Sequence, residues 1–116
     1  DEMAIAPATA DPVTLGARAA AAVLDRTEQS DRDALGLIVL GTESGVDASK
    51  AMAVMVHGLL AQEYRLPDTV RAFDLREACY GGTAGLLTAV DYVLKAMTLR
   101  ETSERAAMKR ARKAGG

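Results

Sequence analysis

The sequence predicts an α/β domain of parallel strands alternating with helices, and three stretches predict it. Leu35-Gly36-Leu37-Ile38-Val39-Leu40 is a continuous apolar run bounded by turn residues, the pattern of a strand buried on both faces. Residues 70–75 form a second extended segment, with apolar side chains at Val70, Ala72 and Leu75. Between them, residues 50–59 carry helical apolar spacing. Parallel strands need a crossover connection of that kind.

The elements follow in order. Residues 1–12 hold two of the three prolines and no sustained period, so they read as irregular. The chain opens without an initiator methionine, which suggests a processed, trimmed or partial chain. From Val13 the pattern turns helical, with Leu15, Ala19, Ala22 and Val23 on one face. Asp11-Pro12 supplies a cap and a first-turn proline, and the helix is expected to end near Thr27. Residues 27–33 read as a polar connection into the first strand. That strand delivers the chain to Gly41-Thr42-Glu43-Ser44-Gly45-Val46-Asp47. Asp47 or Ser49 is placed to cap the second helix, which runs through Lys50, Ala51, Val54, Met55, Gly58 and Leu59. Residues 65–69, with Pro67, return the chain to the second strand. A third helical pattern, Leu86, Leu87, Ala89, Val90, Val93 and Leu94, follows Gly81 and Gly82.

Composition narrows the function. A chain of 116 residues makes one small domain, and with 49% apolar residues but only 3% aromatic its core must come from Ala, Val, Leu, Ile and Met. A net charge of −2 carries no signature of nucleic-acid binding. A single cysteine excludes an internal disulfide, and with the single histidine, His57, leaves too few soft ligands for a zinc site of the usual kind, so no metal is expected. No signal peptide and no apolar run long enough for a membrane span are visible, so a soluble cytoplasmic protein is expected. Neither G-x-G-x-x-G nor G-x-x-x-x-G-K-[ST] occurs, which leaves dinucleotide and P-loop readings without support.

Cys79 stands at a strand-to-helix elbow. Backbone N–H groups and the positive end of a helix dipole favour a thiolate at such a place, and glycines let a substrate approach the backbone. Cys79 therefore reads either as a nucleophile or, blandly, as a small buried hydrophobe. Glu43 lies just beyond the first strand, where ligands of open parallel sheets bind, though a glutamate there is often only solvated or a cap. A βαβ unit would put both residues on one rim. A thiol and a carboxylate so placed suit acyl transfer with proton traffic: the thiol holds the acyl group and the carboxylate acts as general acid or base.

The blocks Gly41-Thr42-Glu43-Ser44-Gly45-Val46-Asp47-Ala48-Ser49-Lys50 and Glu77-Ala78-Cys79-Tyr80-Gly81-Gly82-Thr83-Ala84-Gly85 resemble 3-hydroxy-3-methylglutaryl-CoA synthase, of the thiolase superfamily. The resemblance covers residues 3–94 and implies a thiolase-like fold, of which this chain is a partial N-terminal half. It implies that Cys79 takes the acetyl group from acetyl-CoA. It also implies that Glu43 is the general acid/base for carbon–carbon bond formation with acetoacetyl-CoA. Coenzyme A thioesters are then substrates, with no permanently bound cofactor. Related synthases act on carrier-protein-bound β-ketoacyl groups in polyketide β-branching, and Glu43-Ser44-Gly45-Val46-Asp47 suits them about as well. The partners implied are acyl-CoA or acyl-carrier-protein substrates and a second copy in a homo-oligomer.

Two departures bear on activity. The family's catalytic histidine lies well beyond the cysteine, whereas no histidine follows His57 here. His57 reads instead as a packed or solvated helix-face residue. The expected organisation is a partial thiolase-like domain over residues 1–96 and a basic tail, helical or disordered, over residues 97–116, where six Arg or Lys face two Glu. An inactive truncated fragment or association module thus stands as the reading from another class.

Overall fold

In the computed structural model, residues 6–115 are described; residues 1–5 and Gly116 lie outside them, and with them the start of the segment read as irregular. The order is α1 (Pro12–Leu24), α2 (Gln29–Asp33), β1 (Leu37–Gly41), α3 (Met52–Tyr64), β2 (Arg71–Leu75), a 3₁₀ turn (Ala78–Tyr80) and α4 (Gly81–Gly115). Contacts divide the chain into two compact units, 1–85 and 86–116. The first contains every element up to the beginning of α4. The second is the continuation of α4.

β1 and β2 pair in parallel as a two-stranded sheet, from Leu37 opposite Arg71 to Gly41 opposite Leu75. Both strands are half-buried rather than buried on both faces. Leu40 packs toward the helices, where a Cβ on Gly16 of α1 would stand 3.0 Å from its methyl group. Val39, which alternation sends to the other face, meets Gly85 at the start of α4.

α1 begins as its sequence dictates. The Asp11 carboxylate accepts hydrogen bonds from the Thr14 amide (2.7 Å) and hydroxyl (2.9 Å), with Pro12 in the first turn. These bonds hold the Asp11 carboxyl below the usual carboxylate range, the Thr14 amide contributing most. α1 packs on α3, and the core joins Val13 and Leu24 to Met52, Val56, Leu60, Tyr64 and Leu66. Each fully buried side chain of this size contributes about 1.5–3 kcal/mol.

Residues 27–33 are not only a connection: a short helix, α2, occupies most of them. Tertiary contacts hold it where propensity would not. Arg32 donates from Nε and Nη2 to the Leu24 carbonyl at the end of α1, and its guanidinium lies 5.2 Å from the centre of the Tyr64 ring. Tyr64 donates its hydroxyl to Asp25 at 2.6 Å. That bond, followed by desolvation, pushes the Tyr64 pKa up to about 12.

The second helix also differs from expectation at its start. Neither Asp47 nor Ser49 caps it. Its first residue is Met52, and the carboxylate of Asp74 in β2 accepts from the amides of Met52 (2.7 Å) and Ala53 (2.8 Å). Asp47 instead closes a local turn, accepting from the Ser49 amide, the Ser49 hydroxyl and the Lys50 amide. The buried face is Met52, Ala53, Val56, Leu60 and Tyr64, while Val54 and Leu59 are exposed. No helix among the described residues is long and apolar enough to cross a membrane.

Candidate active site

The carboxyl ends of β1 and β2 form one rim. Past the last register pair, the Thr42 amide donates to the Leu75 carbonyl at 3.0 Å, so the strands stay together one step into the loops. Glu43 is the next residue on the first side. On the other side, Arg76 and Glu77 lead to the 3₁₀ turn that carries Cys79. The structure thus puts both sequence-selected residues on loops leaving the same rim of one unit, and both are exposed. The bland reading of Cys79 as a buried hydrophobe does not hold.

Three features shape the elbow. Ala78, directly before the thiol, has a φ of 47°, a left-handed conformation unfavourable for a residue with a Cβ. The Tyr80 amide donates to the Glu77 carbonyl at 2.9 Å, closing the turn across Cys79. Finally, the backbone of Gly81 and Gly82 lies so close to Gly41 that a Cβ on Gly41 would stand 2.4 Å from the Gly81 carbonyl carbon and 2.5 Å from the Gly82 nitrogen. Gly81 is itself buried, with the Leu75 carbonyl and the Thr42 amide crowding its missing Cβ at 3.0 and 3.1 Å. Backbone clearance therefore explains Gly41 and Gly81. It does not explain Gly82, whose Cβ would meet nothing within 4 Å.

The loop over residues 42–51 is built from both strands. Thr42 and Ser44 bond reciprocally, the Thr42 hydroxyl donating to the Ser44 carbonyl and accepting from its amide. The Asp47 turn lowers that carboxyl's pKa, chiefly through the Ser49 amide. Arg76 Nη2 donates to the Asp47 carbonyl at 2.8 Å, its guanidinium covers Gly45, and Asp74 lies 3.9 Å away. Sequence reasoning passed over Asp74 and Arg76. The alternation of β2 was a signal, since it interrupts the apolar pattern with a charge at Asp74 one register step before the rim.

His57 is not at this rim. It lies within α3, and its Nε2–H donates to the Pro67 carbonyl at 2.9 Å, in the loop that enters β2 from the opposite end of the sheet. Among the described residues, no three His, Cys, Asp or Glu gather as a metal site would require.

Residues 2–102 match the family model described as hydroxymethylglutaryl-coenzyme A synthase N terminal. The chain belongs to the hydroxymethylglutaryl-CoA synthase family. The match runs past residue 94, where the sequence resemblance stops, and into the segment read as a tail. A hydroxymethylglutaryl-CoA synthase of Enterococcus faecalis is 42% identical over 93 residues, which are 80% of this chain and 22% of the relative. The polyketide biosynthesis 3-hydroxy-3-methylglutaryl-ACP synthase PksG of Bacillus subtilis is 36% identical over 93 residues, 80% of this chain and 21% of that one. The solved structure of MvaS in complex with 3-hydroxy-3-methylglutaryl coenzyme A superposes with a TM-score of 0.62 at 44% identity, covering 75% of this chain and 20% of that structure. The chain thus spans about one fifth of the length of these relatives. Its parallel strands and helices are part of the N-terminal portion of the synthases' thiolase-like fold.

Proposed function

We propose that this chain carries the acyl-accepting part of a hydroxymethylglutaryl-CoA synthase active site, with Cys79 as nucleophile and Glu43 as general acid/base. The observation that carries this reading is the common rim: family membership supplies the chemistry, and β1 and β2 end side by side beneath both residues. In this reading the Cys79 thiolate attacks the carbonyl carbon of an acetyl thioester, and the donor thiolate leaves. Glu43 then takes a proton from the acetyl methyl group, which the thioester acidifies. The resulting carbanion attacks the ketone carbon of the β-ketoacyl acceptor, and the new alkoxide takes a proton back. Water finally hydrolyses the enzyme thioester. The Cys79 backbone N–H is the candidate donor to the oxyanion. Acceptors are coenzyme A thioesters, and the working protein is a homo-oligomer.

The relative named as an ACP synthase favours a second donor and acceptor class, carrier-protein thioesters, on the same residues. Incubation with radiolabelled acetyl-CoA and, separately, acetyl-carrier protein tests both. Label on the Cys79 peptide that is lost in Cys79→Ala supports the reading, and the better donor names the class. No label from either donor, beside an active synthase control, leaves an association module.

A further inference from the structure

Glu43 sits on a loop with a solvent-facing side chain, yet an acid/base group must stand in one place to act. The loop itself contributes only short-range bonds, Thr42 with Ser44 and Asp47 with Ser49 and Lys50. The first turn is tied to the sheet only at its start, where the Thr42 amide donates to the Leu75 carbonyl; the Asp47 turn makes no such bond of its own. What ties the rest of the loop, from Gly45 to the start of α3, comes from side chains of β2 and the residue after it.

Two side chains do this at different depths. Asp74, with only 6% of its side chain exposed, accepts from the Met52 and Ala53 amides and fixes where the loop enters α3. Arg76, 41% exposed, reaches across the loop's middle. Its Nη2 donates to the Asp47 carbonyl, and its flat guanidinium rests where a Cβ on Gly45 would stand 2.5 Å from it. Asp74 Oδ2 lies 3.9 Å from the same Nη2, an ion-pair contact that favours this position of the cation without a hydrogen bond. A planar guanidinium can lie over a glycine and donate sideways; an ammonium cannot do both. Arg76 is also only three positions before Cys79 in sequence, on the segment that forms the elbow.

We propose that Arg76 is a positioning residue: by clasping loop 42–51 at Gly45 and Asp47, it fixes Glu43 relative to Cys79. The role rests on the reading of Glu43 and Cys79 as a working pair. It predicts that the thiol senses the Glu43 carboxylate only while Arg76 is in place.

The experiment uses the full chain in five forms: wild type, Arg76→Gln, Arg76→Lys, Glu43→Gln and the Arg76→Gln/Glu43→Gln double variant. Amide hydrogen exchange is read over residues 43–50, with β1 and β2 as internal controls for folding. Arg76→Gln is expected to speed exchange in the loop about tenfold while both strands keep their protection, and Arg76→Lys to recover less than half of the loss. In parallel, Cys79 is alkylated with iodoacetate and with iodoacetamide, whose rate ratio reports negative charge near the thiol. Glu43→Gln is expected to raise the iodoacetate-to-iodoacetamide ratio about two- to threefold in wild type, and to leave it unchanged when Arg76 is already Gln. Comparing the Glu43 effect within each background cancels the charge of Arg76 itself. Unchanged loop exchange in Arg76→Gln, or an equal Glu43 effect in both backgrounds, overturns the proposal. Faster loop exchange with no Glu43 effect in either background overturns the pairing of Glu43 with Cys79 while leaving the clasp standing.

Discussion

Gly41 and Gly82 meet at the elbow but should respond oppositely to the same methyl group. At Gly41 an added Cβ meets backbone of Gly81 and Gly82 at 2.4–2.5 Å, and backbone cannot rotate away as a side chain can. Gly41→Ala is expected to push the start of α4 off the strand ends, lower the melting temperature and change the alkylation rate of Cys79. At Gly82 the space is open and the backbone is already helical, so Gly82→Ala should stabilise, by up to about 1 kcal/mol of helix propensity. Thermal melts of the two variants beside wild type check the contrast. Equal melting temperatures would mean that the close approach at Gly41 is not a constraint. Ala78 belongs to the same local arrangement: its left-handed φ is stored strain directly before the thiol, where a fixed presentation of sulfur is useful.

Among the elements, α1 gives the cleanest pH test. The folded Asp11 carboxyl titrates below its ordinary value because Thr14 donates to its charged form. Its contribution is therefore complete above the unfolded pKa, near 3.9, and is lost as pH falls through the lower folded value. Asp11→Ala should melt below wild type at pH 7, with the gap narrowing as pH falls below about 4 and wild type loses its cap. A gap that persists at pH 2 would show that the carboxylate form is not what caps the helix. This cap was legible in the sequence because every part of it lies within four residues, as was the apolar run of β1. The cap of α3 was not, because its acceptor, Asp74, is 22 residues away in β2 and reaches the helix only through folding. The local sequence offers Asp47 or Ser49 for that task, and the structure instead joins the two in a turn of their own. α2 escaped notice for the same reason: its anchors are the Leu24 carbonyl and the Tyr64 ring, both supplied by other elements. Cys79 and Glu43 are legible as candidates from their strand-end placement, with their roles implied by the family resemblance, whereas the clasp at Arg76 needs three-dimensional proximity to Gly45.

At the scale of the whole molecule, exposed apolar surface governs behaviour in solution. Among the described residues the sheet has two strands, so each has an outer edge with no strand beside it. Along α4, Leu86, Leu87, Val90, Val93, Leu94 and Met97 are exposed on consecutive turns, followed by a stretch supported by the Arg100–Glu104 and Glu101–Arg105 pairs. Those exposed pairs favour the helix by only a few tenths of a kcal/mol each and bury nothing. An apolar run of this length on one helix is larger than isolated surface residues would explain, and water penalises leaving it open. The chain is accordingly expected to self-associate, eluting from a sizing column at a volume that moves with concentration. Val90→Glu with Leu94→Glu should shift it toward a monomer while leaving the β1–β2 amides protected. A sharp monomer peak at all concentrations, together with a cooperative melt, would contradict this and show that the chain satisfies its apolar surface alone.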